Sequence, residues 1–295
     1  MIYDIKLTIA YDYAGLASSG RHLVCVMPRD LSDDQRLVAG LLELAPAPDA
    51  RHDRTDFFGN PLVEFAIGTP HKGIEVTVKA RVERTASGAI PEGSIRLDEL
   101  ADALAACRDL GPMSPLHFTA PSVRVPLDHA ITQFARRQIL PGMTVAEAVL
   151  AVGHALHSHM KFDARATTVD TPAAEAFAKR HGVCQDFSHI MIAGLRGIGV
   201  PAGYVSGFLR TQPPPGKPRL EGADAMHAWV RAWCGPDAGW IAFDPTNDRT
   251  ADTSHIVVAH GRDYADVAPI KGVLRVSGGQ KSRQLVDVIP LDTVP

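Results

Sequence analysis

GVCQDFSHIMIAGLRGIGVPAGYVSGF, residues 182–208, reads as a helix followed by a strand. Phe187, Ile190, Met191, Gly194 and Leu195 recur at helical spacing, so one face of a helix opening at Cys184 is apolar. Gly197 and the Gly199-Val200-Pro201 run end it, and AGYVSGFLR continues as a strand. The first backbone N–H groups of a helix have no intrahelical acceptor, and its dipole favours negative charge there. A thiol at that point is favoured as the nucleophilic thiolate. The apolar stripe would hold the helix in a core while its first residue stays accessible. Taken alone, Cys184 is more simply a small buried hydrophobe, so the rest of the chain has to decide.

Helices lead up to this stretch and strands follow it. LDHAITQFARRQ (127–138) reads as a helix, and so does 143–160, where Thr144 and Glu147 form a capping box and Val149, Val152, Leu156 and Met160 keep helical spacing. A short helix over 172–180 starts at Pro172. Downstream come MHAWVRAWC, GWIAFDPT, HIVVAHG, LRVSGG and SRQLVDVIP. Strands this close in sequence are expected to form an antiparallel sheet packed on the helices. The first third differs: IYDIKLTIAYDY alternates at period two, and HLVCVMP, PLVEFAIG and GIEVTVKARVE add strands between turns at DLSDD, APAPDARHD and FFGNP. The expected class is α+β, with a β-rich N-terminal domain over 1–110, including a short helix near Leu97–Leu110, and a core over 111–295.

The 295 residues, 45% hydrophobic and 21% charged, suffice for two packed units. A net charge of -3 gives no footprint for nucleic acid, and no apolar run is long enough for a membrane span. MIYDIKLTIAYDY is a strand rather than a signal peptide, so a cytoplasmic location is expected. The four cysteines, Cys25, Cys107, Cys184 and Cys234, lie far apart and suggest neither a metal motif nor a disulfide framework. There is no GxGxxG after a strand and no phosphate loop. His154, His157 and His159 lack an HExxH context, so neither metal nor cofactor is expected.

A thiolate nucleophile needs a base, and the base an orienting group. His227, Trp229 and Arg231 share one face of a strand; Trp240, Ala242 and Asp244 share a face of the next. A hairpin turning near residue 237 sets Trp229 opposite about residue 245 and Asp244 beside or diagonal to His227. His189 is about 140° around the helix from Cys184 and makes a poor base.

GVCQDF (182–187), DAMHAWVRAW (224–233) and GWIAFDPTND (239–248) resemble the three motifs of the transglutaminase-like, papain-related superfamily. HIVVAHGRDYADVAPIKGV (255–273) resembles the segment closing the core in the bacterial branch; MPRDLSDDQ (27–35) and DFFGN (56–60) resemble its β-rich N-terminal domain. The resemblance implies Cys184 as nucleophile, His227 as base and Asp244 as orienting carboxylate. It further implies an oxyanion donor at the Cys184 amide, with Gln185 helping to arrange that site. Gly182 would allow a close approach to the helix start, and Asp186 would be structural, reaching toward the 255–267 segment. Many members carry a tyrosine in the segment corresponding to MKFDAR; Phe162 stands there instead and can shape the cleft but donate nothing. Trp229 and Trp240 are expected to border the triad. RTQPPPGKPRLEGADA (210–225) is stiff and either edges the cleft or is a surface loop. The implied reaction is thiol-dependent hydrolysis of a peptide or protein amide. The alternatives are acyl transfer to an amine and an inactive protein-binding scaffold. The β domain leaves room for homo-oligomer formation.

Overall fold

The computed structural model describes all residues except 33, 87, 212–221, 223 and 292–295. The proline-rich insertion of 210–225 therefore falls mostly outside the described residues. The chain opens with β1 (Ile2–Ala17), β2 (Ser19–Val24), β3 (Gln35–Ala45), β4 (Ala50–Thr55), β5 (Pro61–Ile67) and β6 (His71–Arg84). Helices α1 (Leu100–Ala106), α2 (His129–Arg136) and α3 (Val145–His159) follow. Next come β7 (Lys161–Phe162), α4 (Ala173–Lys179), β8 (His181–Gly182) and α5 (Cys184–Gly197). The final run is β9 (Ala202–Leu209), β10 (Ala225–Trp233), β11 (Trp240–Asp244), β12 (Arg249–Thr250), β13 (His255–Gly261), α6 (Tyr264–Val267), β14 (Ile270–Arg275) and β15 (Gln280–Leu291).

The fold is mixed α and β with a β-rich N-terminal region. Two four-stranded sheets, β15-β1-β6-β3 and β14-β2-β5-β4, build that region, and a five-stranded antiparallel sheet, β12-β11-β10-β9-β13, carries the core. In β1 the residues Tyr3, Ile5, Leu7 and Ile9 are buried and alternate with Asp4, Lys6 and Thr8, so the period-two pattern is the pattern of a half-buried strand. β3 and β4 were not evident from the sequence, because both are edge strands and β4 is exposed throughout.

The last two strands correct the expected division at residue 110. β14 pairs with β2, and β15 pairs with β1 from Ile2 opposite Leu291 to Tyr13 opposite Gln280. Residues 270–291 thus complete the N-terminal sheets rather than extending the core sheet. Val286 and Val288 of β15 are buried in the shared core. Sequence neighbours usually pair, but β1 and β2 each leave an edge open, and only the end of the chain fills it. A chain ended at Pro269 is expected to lose cooperative unfolding and to aggregate through those bare edges. A sharp, reversible melt of that truncated chain would contradict this.

α5 is buried along its whole length, from Gln185 to Arg196. Arg196 is satisfied there by donating to the carbonyls of Ala202 and Arg262 and to Ser122, whereas Ser188 Oγ is buried without a partner among the described residues. α3 keeps the predicted capping box of Thr144 and Glu147. It approaches β11 so closely at Gly153 that an added Cβ would lie 2.3 Å from the Phe243 ring.

The N-terminal region docks onto β13, the free edge of the core sheet. Gln35 accepts from the Val257 amide and donates to the Val257 carbonyl, at 2.8 and 2.7 Å. Asn60 does the same at His260, at 2.8 and 2.7 Å. Two buried side-chain amides thereby stand in for a neighbouring strand and leave the edge less open to pairing with another chain. These residues belong to the segments MPRDLSDDQ and DFFGN.

Candidate active site

Cys184 is the first residue of α5, half-buried, with Val183 as the N-cap. Arg180 takes a left-handed conformation that ends α4, and β8 then pairs in parallel with β7, setting Phe162 opposite Gly182. Asp186 folds back on this entry: its Oδ2 accepts from the Val183 amide at 2.8 Å and from the Thr167 hydroxyl at 2.6 Å. A Cβ on Gly182 would lie 2.6 Å from that oxygen, which is why glycine is needed there. Asp186 is structural, but its partners are Val183 and Thr167 rather than the 255–267 segment. Gln185 donates to the Val169 carbonyl at 3.0 Å, so its amide fixes the 163–171 loop. The amides of Cys184 and Gln185, in the first turn, have no intrahelical acceptor and remain as donors for an oxyanion.

The β10–β11 hairpin pairs Val230 with Phe243, one residue from the expected register. His227 Nε2 lies 2.7 Å from Asp244 Oδ2. The Cys184 sulfur is the second hydrogen-bond partner of the same imidazole. Burial alone would lower the His227 pKa; the bonds to Asp244 and Cys184 and their charges outweigh it and raise it to about 10.

Asp244 is fully buried and accepts five hydrogen bonds. They come from His227, from His255 at 3.2 Å, from the Asn247 side chain at 2.7 Å and from the amides of Thr246 and Asn247. Burial would raise its carboxyl, but His227, His255 and Asn247 hold it well below the usual carboxylate range. His255 is also fully buried; its Nδ1 lies 3.2 Å from both the amide and the Oδ1 of Asp252. The Asp244 carboxylate can only accept, so His255 donates to it from Nε2. Cys184, His227, Asp244 and His255 thus form one chain of contacts, steadied by Asn247.

Asn247 had a local signal in DPTN, where an aspartate binds the amides two and three residues on. His255 had none: it is one of thirteen histidines, and only the pairing of β13 with β9 brings it to Asp244.

The other candidates separate. Trp229 borders the triad, its ring stacked on His227 at 6.2 Å and 28°. Trp240 does not; it sits at the opposite end of the hairpin, paired with Trp233, under the Arg231 guanidinium. Phe162 is 60% exposed on β7, at the rim beside the Cys184 entry. Tyr204 is a phenol that the sequence did not reveal. It faces His189, and its pKa is raised well above the ordinary value by burial first and then by nearby Cys184. His189 accepts from the Tyr264 amide, and burial lowers its pKa to about 4, so it is a neutral structural histidine.

His154, His157 and His159 turn to three different partners: Asp248, the Pro245 carbonyl, and the rings of Phe134 and Phe177. Among the described residues, the group whose ligand atoms lie close enough for a metal is His227, Asp244 and His255, within 4.8 Å. The 2.7 Å between His227 and Asp244 is a hydrogen-bond distance, shorter than the roughly 3.3 Å between ligands of a four-coordinate zinc. The donor set suits a proton relay better than a metal.

Residues 132–245 match the transglutaminase-like superfamily, and residues 3–83 match the bacterial transglutaminase-like N-terminal region. An uncharacterized protein of Mycobacterium tuberculosis is 33% identical over 98% of this chain and 93% of its own length. This chain belongs to the transglutaminase-like superfamily. A second relative of this transglutaminase-like chain, an uncharacterized protein of Mycobacterium leprae, is 30% identical over 95% of this chain and 96% of its own. A crystal structure from Cytophaga hutchinsonii, described as a candidate cysteine protease, superposes with a TM-score of 0.75. It is 21% identical and covers 99% of this chain and 91% of that one, a likeness of fold. No helix among the described residues is long and apolar enough to cross a membrane.

Proposed function

We propose that this protein hydrolyses amide bonds of peptides or proteins through an acyl-thioester on Cys184. The observation that carries the reading is one imidazole, His227, that has both the Cys184 sulfur and the Asp244 carboxylate as hydrogen-bond partners. The Cys184 sulfur attacks the amide carbonyl carbon, and the new oxyanion is received by the first-turn amides of α5. His227 gives its proton to the leaving nitrogen, the C–N bond breaks and an amine departs. His227 then takes a proton from water, which attacks the thioester, releases the carboxylic acid and returns the thiolate. A primary amine that reaches the thioester before water leaves with a new amide instead. All four cysteines are unpaired, which agrees with a reducing compartment such as the cytoplasm.

The test is a panel of peptide amides and anilides, followed by mass spectrometry of the whole protein, with and without a primary amine. Turnover of a member of the panel, with an acyl adduct on Cys184 that is absent in Cys184→Ala, is expected. Product carrying the added amine would assign amine transfer. A reactive Cys184 that never acquires an acyl group would favour a scaffold.

A further inference from the structure

The hydrogen bonds that hold the Asp244 carboxylate are not equivalent. Three come from the turn that carries it. Oδ1 accepts from the amides of Thr246 and Asn247, at 3.0 and 3.2 Å, and Oδ2 from the Asn247 side chain at 2.7 Å. These bonds fix the carboxylate to its own turn and would move with it. The fourth donor, His227, is the group that has to be oriented. The fifth is His255, whose Nε2 lies 3.2 Å from Oδ2 and which opens β13. In the core sheet β10 and β9 lie between β11 and β13. Among the described residues, His255 is therefore the donor that ties Asp244 to a distant strand.

His255 is itself held at three further points. Asp252 meets its Nδ1 with both amide and Oδ1. Its ring meets that of Trp229 edge-on, with centres 5.2 Å apart, and the same indole is stacked on His227. Its carbonyl accepts from Arg84 Nε at 2.9 Å. Arg84 is the last residue of β6 and is buried. It is anchored in the N-terminal region, where its amide donates to the Met1 carbonyl at 2.8 Å and its Nη1 to the Asp34 carbonyl at 3.0 Å. Burying an imidazole is costly unless its nitrogens are bonded, and an apolar side chain would fill the same space without that cost.

We propose that His255 is a positioning residue for the reaction: it holds the Asp244 carboxylate in line with His227, and Arg84 carries that hold back to the N-terminal region. The proposal rests on the reading of Cys184, His227 and Asp244 as a hydrolytic triad. His255 acts through Asp244 and not on the substrate. A carboxylate held only by its own turn can shift with that turn, and the 2.7 Å bond to His227 Nε2 then lengthens or bends. The imidazole would no longer be kept at one angle beside the Cys184 sulfur, and small misplacements of a base are costly in rate. The β-rich region thereby contributes to the site as well as covering the edge of β13.

The test compares His255→Leu, which has no donor, with His255→Gln, whose terminal amide takes the place of Nε2. The first readout needs no substrate. In full-length protein with nitrogen-15 histidine, the His227 Nε2–H proton is assigned as the downfield resonance missing from His227→Ala. It should move upfield or vanish by exchange in His255→Leu and return in His255→Gln. The second readout is turnover of the peptide amides. His255→Leu should lose about tenfold or more in kcat with KM within about twofold of wild type, and His255→Gln should recover most of the loss. If His255→Leu does not fold, His255→Asn takes its part, because its shorter amide stays beside Asp252 and falls short of Asp244. An unchanged resonance in the folded variant, or a His255→Gln protein as impaired as His255→Leu, would overturn the proposal. A wild-type protein that turns over no amide would instead count against the hydrolase reading, and the resonance alone would then decide the role of His255.

Discussion

Alkylation of Cys184 at pH 6 should slow at least tenfold when His227 is replaced by alanine. An unperturbed thiol has a pKa near about 8.5 and is almost wholly protonated at that pH. In this site the imidazole beside the sulfur has its pKa raised to about 10, so it stays protonated across the neutral range. His227→Ala removes that charged ring from beside the sulfur. Cys25 and Cys234 are internal controls, because burial pushes each up to about 12 and both should stay unmodified. Amide turnover should fall further, by about 10³-fold, since the base and the proton donor are lost together. Mass spectrometry of the alkylated peptides against pH reads the first effect. Equal Cys184 rates in the two proteins at pH 6 would rule out a part for His227 in the reactivity of Cys184. Folding also raises the proton affinity of His227, so its contribution to stability is complete below about pH 6.5. It is lost as pH climbs through about 10. The gap in melting temperature between wild type and His227→Ala should shrink over that interval.

Gly207→Val is expected to destabilise the fold by about 3 kcal/mol or more, a drop of several degrees in melting temperature. Gly207 lies on β9 opposite His227. A Cβ there would lie 2.1 Å from the Ile256 carbonyl oxygen and 2.4 Å from the Trp229 ring. The carbonyl belongs to β13 and has little freedom to retreat, so either the strand or the indole must move. The indole is stacked on His227 and packs with Val205 and Val257, so its displacement should disturb both the His227 contact and that cluster. Gly279→Ala is the control: nothing lies within 4 Å of its added Cβ, and its melting temperature should match wild type. A Gly207→Val melt equal to that of the control would mean the sheet is far looser here than the contacts imply.

The parts legible in the sequence are those whose causes are local. The α3 capping box, the start of α5 and the hairpin register all follow from residues within a few positions of one another. The register itself is offset by one residue, Val230 standing opposite Phe243. What could not be read depends on distant partners. β3 is rich in leucine and alanine and, as an edge strand, buries few of them. Gln35 and Asn60 look like ordinary loop amides until β13 is laid beside them. The polar residues of α5 concealed its full burial, because Arg262, one of the acceptors for Arg196, and Tyr264, whose amide reaches His189, lie 66 and 75 residues further on.

The pairing of β1 with β15 bears on how the chain is made. As a ribosome delivers it from the N-terminus, β1 and β2 each wait with one edge unpaired until the last strands emerge, while the helices and the core sheet can already collapse. The relay is thus assembled inside a frame that closes last. Pairing Ile2 with Leu291 spans almost the whole chain, and contacts so distant slow the final step of folding. During that interval the exposed strand edges are what a holding chaperone would have to cover.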